Sequence, residues 1–342
     1  MESLLSIELT KKVNIKIKEI AETLYKSDIQ DCSLMYGKAG IAIFLFYYWK
    51  WKKQNSFYKK SSEFIYNIFL ELNKQIYLYK QRLSEIDLSF YTGLSGIGWS
   101  INHLVRNNFI ESDIQETMCL IDAAIYRKMI DGLYSENKDV FFEAILISIY
   151  TANRQDRFSK EYLRRFINEW LDMEKKGTGF FSNQKFINES KNIQIMWDII
   201  IKKQPEIVPV LIKEKIKTGN TYNDDDMLLN KLNENALVLG VDSGLENGLA
   251  KNAFVAIKYY LKTGIVEFKE VAEDSIDKLF KITNYKDKRN SSDFWLTSSR
   301  GIWSTHDGFI NGLAGIGLVL LYALTGIDSG WDEPLVNVFD KV

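Results

Sequence analysis

Three stretches of this chain share one pattern of small and apolar positions. Residues 36–42 read YGKAGIA, residues 92–99 read TGLSGIGW and residues 311–321 read NGLAGIGLVLL. Each places a small-residue elbow before an apolar run. After the first elbow, Ile41–Trp49 reads IAIFLFYYW, apolar at every position. A helix that is apolar all round is a buried helix. Elsewhere the polarity is one-sided: Phe64, Ile65, Ile68 and Phe69 recur at helical intervals, flanked by Glu63, Asn67 and Glu71. That pattern predicts an amphipathic helix. Alternating runs with hairpin turns are scarce. Short strands or irregular insertions are expected in 175–192 and 219–240, where Gly, Asn and Asp collect.

The elbow glycines stand at Gly37, Gly93 and Gly312, and GLENGLAK at 244–251 is a weaker copy with its elbow at Gly248. The spacing is about fifty to sixty residues, and the gap between Gly93 and Gly248 leaves room for two more copies. DVFFEAIL at 139–146 and NIQIMWDIII at 192–201 are the candidates. One buried and one amphipathic helix per repeat, an inner ring inside an outer one, makes an all-α fold. The expected architecture is an α/α toroid (barrel) of about six to seven helix pairs, a single domain over 1–342. Glycine lets the backbone turn sharply and lets inner helix ends approach. Gly37, Gly93 and Gly312 therefore read as packing devices. They are not phosphate loops, since no G-x-x-x-x-G-K-[ST] occurs and no strand precedes them.

Composition agrees and excludes other classes. The chain has 342 residues, 46% of them hydrophobic, and only three prolines, which suits a large helical core and not disorder. Aromatic residues, 13% of the total, would fill the centre of a wide helical barrel. A formal net charge of -1 argues against a nucleic-acid partner. The lysine runs at Lys202-Lys203 and 213–217 read as solvated helix faces. Cys32 and Cys119, the two cysteines, form no CxxC and no disulfide scaffold. The N-terminus has no signal-peptide pattern, and the apolar run near 316–324 is too short to span a bilayer. The expectation is a cytoplasmic protein with no stable membrane insertion. Asp224-Asp225-Asp226 reads as a loop and helix N-cap before Met227 and not as a metal cluster, because consecutive positions do not share a helix face.

YGKAGIAIFLFYY, TGLSGIGWSINHL and NGLAGIGLVLLYALTG, followed by Gly330-Trp331-Asp332, resemble the lanthionine synthetase C (LanC-like) family over about residues 30 to 335, with a divergent or shortened region at 155–245. The resemblance implies an α/α toroid with elbows at the ends of its inner helices. It also implies a specific chemistry. The family's cyclases hold zinc through two cysteines and a histidine, in Trp-Cys-Tyr-Gly and Cys-His-Gly motifs. The metal turns a peptide thiol into a thiolate that adds to a dehydrated residue. A further histidine, in Asn-Leu-Gly-Leu-Ala-His-Gly, is proposed for proton transfer.

Those motifs do not carry over. The histidine stretch corresponds best to NIQIMWD, with Trp197 at the histidine and Asp198 at the glycine. Cys-His-Gly corresponds to Glu246-Asn247-Gly248, and no Trp-Cys-Tyr-Gly occurs. The 246–248 elbow could instead be the remnant of that second motif. The expectation is no family-type metal and no cofactor. Asp198, Glu246 and Asn247 are the candidate catalytic residues, as an acid–base pair or hard-cation carboxylates with an amide to orient a carbonyl. Trp197, Arg300 and Trp303 are the candidate peptide-binding residues, the last two from FWLTSSRGIWSTHDG ahead of the final elbow. Three readings follow. One is a non-cyclase component of modified-peptide maturation that binds a precursor or modified peptide, a peptide-modifying enzyme, or both. The second is a zinc-independent enzyme acting on a peptide or glycan. The third, ranked last, is a cyclase that borrows zinc ligands from a partner or substrate.

Overall fold

Four glycine elbows open four helices by the same local device. An aspartate stands six residues before the glycine: Asp31 before Gly37, Asp87 before Gly93, Asp242 before Gly248. Its carboxylate accepts the backbone N–H two residues on, from Ser33 at 2.6 Å, Ser89 at 2.8 Å and Gly244 at 2.8 Å. This Asx turn folds the loop back on itself. The aspartate carbonyl then accepts the N–H of the first helical residue, from Lys38, Leu94 and Leu249, each at 2.9 Å. His306 takes this place in the fourth elbow, accepting from Leu313 at 2.8 Å. The glycines are extended, so their role is spatial. A Cβ on Gly93 would lie 2.5 Å from the Asp87 carbonyl oxygen and 2.6 Å from the Ser89 nitrogen. The turn closes only around a residue without a side chain.

The computed structural model describes residues 4–81, 85–112, 114–154, 156–176, 190–208, 225–238, 242–245, 248–282, 297–299, 302–304, 306–310, 312–327 and 330–335. The described residues form twelve α-helices and one short antiparallel hairpin, so the fold is all-α. The chain divides into two compact units. The first comprises Met1–Tyr66, Asp224–Ser329 and Lys341–Val342, and the second Asn67–Asn223 and Gly330–Asp340.

In the first unit, α2 (Lys38–Lys52) is buried from Lys38 to Tyr48 and α12 (Leu313–Thr325) from Leu313 to Ala323. These are the elbow helices with apolar residues on every side. α10 (Leu249–Thr263) follows the Gly248 elbow and is buried from Leu249 to Ile257. Around them lie one-sided helices. α1 (Ile7–Tyr25) buries Leu9, Val13, Ile17, Ile20 and Leu24, and packs on α2 and α12. α11 (Val266–Ile282) buries Phe268, Val271, Ala272, Ile276 and Leu279 against α10 and α9 (Asp225–Val238). Three elbows of this unit join edge to edge: Leu245 N–H donates to the Ile310 carbonyl at 2.9 Å, and Phe309 N–H to the Met35 carbonyl at 2.8 Å. Gly40 permits the approach, since a Cβ there would lie 2.7 Å from that of Phe309.

The second unit is built on α4 (Leu94–Arg106) and α6 (Lys138–Arg154), which pack on each other. α4 is buried from Leu94 to Leu104, α6 from Ala144 to Arg154. α5 (Ile114–Leu133), α7 (Arg157–Lys175) and α8 (Ser190–Lys203) pack on α6. α6 lies where a repeat copy is expected but has no glycine elbow. Its Glu143 carboxylate accepts the Phe90 N–H of the preceding elbow at 2.5 Å, the bond that a neighbouring elbow's carbonyl accepts in the first unit. Burial pushes the Glu143 carboxyl up, against Lys128 and the Phe90 hydrogen bond. α3 (Asn55–Lys80) buries the predicted Phe64, Ile65 and Ile68.

Two local expectations change. α9 is helical over 225–238, inside the stretch expected to be irregular, and it starts at Asp225 where the helix cap was placed. Most of 175–192 and the rest of 219–240 lie outside the described residues. The hairpin falls elsewhere, β1 (Thr297–Ser299) against β2 (Ile302–Ser304), with Ser298 paired to Trp303.

Candidate functional site

A buried polar cluster lies within the second unit, on one face of α4. Trp99, Asn102, His103 and Arg106 recur at helical spacing and so share that face. His103 stacks on Trp99 with ring centroids 4.9 Å apart. α6 contributes Asn153, α8 contributes Lys203, and the short turn after Trp331-Asp332 contributes Glu333.

Glu333 is 8% exposed, and its carboxylate is held on both oxygens. Lys203 Nζ lies 2.6 Å from Oε1, while Asn153 Nδ2 and Trp99 Nε1 donate to Oε2 at 3.1 and 3.3 Å. Arg106 Nη1 donates to Asn153 Oδ1 at 2.6 Å. Tyr91 OH donates to the Pro334 carbonyl at 2.8 Å, fixing the same turn at a second point. Burial, reinforced by the Lys203 and Arg106 charges, holds the His103 imidazole down to about 3, so it is neutral near pH 7. Burial also lowers Arg106, opposed by Glu333. The arrangement grips one carboxylate with one cation, Lys203, and two neutral donors, while Arg106 is held on Asn153 behind them.

A second buried network lies in the same unit. Arg154 Nη2 donates to Asp122 Oδ2 at 2.6 Å and Tyr150 OH to Asp122 Oδ1 at 2.5 Å. Tyr126 OH pairs with Ser159 Oγ at 2.6 Å. Burial pushes Asp122 up, with Arg154 and Tyr150 pulling it back. Its groups bond to one another and tie α5, α6 and the start of α7 together, which is a structural role.

The residues singled out from the sequence are placed as follows. Trp197 is fully buried on α8, edge-on to Trp170 at 5.6 Å. Asp198, beside it, is exposed. Glu246, Asn247 and Arg300 lie outside the described residues. Trp303 belongs to β2 by its backbone. Of the two lysines read as a solvated face, Lys202 is exposed while Lys203 turns inward to Glu333. Successive helical positions differ by about 100°, so one dipeptide serves two environments. The Glu333 cluster carries no sequence signal of its own, because Trp99 and Glu333 are 234 residues apart.

The family's zinc calls for two thiolates and an imidazole together. Among the described residues, Cys32 is buried near the first elbow and His306 lies by Tyr36, both in the first unit. Cys119 is exposed on α5 and His103 is packed on Trp99, both in the second. No three His, Cys, Asp or Glu side chains gather among the described residues. This donor set does not fit a thiolate-rich zinc site. Among the described residues no helix is long and apolar enough to cross a membrane.

Comparison with known proteins places these features. A solved structure titled nisin cyclase aligns with 14% identity and a TM-score of 0.44, covering 98% of each chain. No curated protein sequence matches. The family model described as lanthionine synthetase C-like protein matches residues 28–194, a span that takes in the elbows at Gly37 and Gly93 and the helices α2 to α7. Over that span, just under half of the chain, the sequence is similar to the lanthionine synthetase C-like family.

Proposed function

We propose that this protein works in the maturation of a ribosomally made, modified peptide, in the cytoplasm, by holding the peptide or a peptide-modifying enzyme and not by closing thioether rings. One observation carries the reading: the Gly248 elbow is built like the others, with Leu249 N–H on the Asp242 carbonyl at 2.9 Å, while the two residues before that glycine are Glu246 and Asn247 in place of cysteine and histidine. The folding device is kept and the soft metal donors are not. Without zinc, a peptide thiol with a pKa of about 8.5 is only a few per cent thiolate near pH 7. Calorimetric titration with a dehydrated precursor peptide tests the reading. Saturable binding is expected; no binding of that peptide, and none of its modifying enzyme, refutes it.

The second reading makes Asp198 and Glu246 an acid–base or hard-cation pair acting on a peptide or glycan. Asp198→Asn and Glu246→Gln separate the two. Under the binding reading both variants hold peptide as the parent does, whereas turnover that both substitutions abolish establishes the enzyme.

A further inference from the structure

We propose that Trp99, Arg106, Asn153 and Lys203 form a carboxylate-binding site in the second unit, that Glu333 of the chain's own C-terminal turn is its resident occupant, and that an acidic side chain of a bound peptide takes Glu333's place. This inference rests on the peptide-binding reading and names the chemistry that the peptide must present.

The cluster has more donors than its occupant uses. Lys203 meets the carboxylate directly, and Arg106 stands behind it on Asn153 Oδ1. Arg106 Nη2 is buried without a hydrogen-bond partner, and so is Asn102 Nδ2 on the same helical face, in a residue 7% exposed. Buried donors are nearly always satisfied in a core that serves stability alone. Spare donors on one face mark a place for an acceptor-rich, anionic group. His103 reports the same positive surplus, since Lys203 and Arg106 add to burial in keeping it unprotonated.

The walls and the occupant also differ in kind. The four wall residues stand on α4, α6 and α8, of which α4 and α8 both pack on α6. The occupant is a short 3₁₀ turn, Glu333–Leu335, following the last helix. The Glu333 carboxylate and the Tyr91 hydrogen bond attach it to the wall, and Leu335 is buried. An internal occupant lowers apparent affinity in proportion to the fraction of closed molecules. The Glu333 contacts define the preferred ligand: a planar carboxylate that meets a lysine on one oxygen and two neutral N–H donors on the other.

The test uses the full chain and its Glu333→Ala and Glu333→Gln variants. The probe is the blocked tripeptide acetyl-Gly-Glu-Gly-amide, compared with acetyl-Gly-Gln-Gly-amide and with inorganic phosphate, by calorimetry at low salt. Glu333→Ala is expected to bind the Glu peptide at least tenfold more tightly than the parent and to leave the Gln peptide unbound. Adding Lys203→Met is expected to remove at least tenfold of that affinity. Glu333→Gln keeps the turn's shape and is expected to gain less than Glu333→Ala; where Glu333→Ala does not fold, this variant decides by the same comparison. Equal affinity of parent and variants for the Glu peptide overturns the proposal, as does a Gln peptide or phosphate that binds as well. A dehydrated precursor peptide that binds parent and variants alike overturns this inference alone and leaves the peptide-binding reading standing. Tripeptide binding as expected, beside a precursor and a modifying enzyme that both fail to bind, supports the site and removes the maturation reading.

Discussion

Replacing Gly93 with alanine tests why the elbows are glycine. The new Cβ would lie 2.5 Å from the Asp87 carbonyl oxygen, 2.6 Å from the Ser89 nitrogen and 2.7 Å from Asp87 Oδ1, where ordinary contact begins near 3.4 Å. Two of these neighbours are backbone and cannot rotate away. Relief requires opening the loop, which stretches three hydrogen bonds: Leu94 N–H to the Asp87 carbonyl at 2.9 Å, Gly93 N–H to the Ser89 carbonyl at 3.1 Å, and Ser89 N–H to Asp87 Oδ1 at 2.8 Å. At about 1 kcal/mol net for each bond, the loss is about 3 kcal/mol. Gly264 is the control. It caps α10 with φ +75°, and nothing lies within 4 Å of a Cβ placed there. Alanine at 264 carries only the left-handed backbone cost of about 1–2 kcal/mol, and asparagine less. Urea unfolding by linear extrapolation measures both. The reasoning predicts that Gly93→Ala is the more damaging and that Gly93→Asn is worse still, the reverse of the ranking at 264. A Gly93→Ala variant no less stable than Gly264→Ala would refute the steric account.

Two further outcomes concern buried charge. His103 titrates near 6.5 when unfolded and at about 3 when folded, so between these values the unfolded chain binds the extra proton. Stability therefore falls as pH drops through this window, by up to about 1.4 kcal/mol per pH unit. His103→Gln removes that slope, read as the difference between parent and variant in urea midpoints from pH 7 to pH 4. Arg154→Met leaves the Asp122 carboxylate buried without its cation and costs about 3–5 kcal/mol. Burial has already raised Asp122 in the parent, and loss of Arg154 raises it further. Stability from a raised carboxyl is present at low pH and lost as pH rises through the folded value, so the deficit is larger at pH 8 than at pH 5. Asp122→Leu added to Arg154→Met recovers part of it.

How much of this was legible in the sequence depends on range. The elbows were legible because their signal is local: Gly37, Gly93, Gly248 and Gly312 each stand immediately before an observed helix. The apolar run Ile41–Tyr48 is buried as its composition requires, and the stripe Phe64, Ile65 and Ile68 faces inward. The aspartate six residues before three of the glycines was equally local, yet glycine spacing alone does not expose it. α6 kept the buried helix but replaced the elbow's acceptor by Glu143, a substitution visible only once Phe90 is seen beside it. The short hairpin escaped because its strands are three residues long, below the length at which alternation registers. The Glu333 cluster was out of reach for a different reason. Its members come from three helices and a terminal turn, and folding alone brings Trp99, Asn153 and Lys203 to one carboxylate. Lys203 shows the limit most plainly: its neighbour Lys202 has the same charge and the opposite environment.

We propose that this chain has kept the glycine hinges of the fold without the zinc chemistry. The most direct measurement is the number of alkylatable thiols on a dehydrated, cysteine-bearing precursor peptide after incubation with purified protein and one equivalent of zinc, with bound zinc counted after dialysis. The account predicts an unchanged thiol count and no stoichiometric zinc. Thiols lost at unchanged peptide mass, together with one zinc per chain, would contradict it.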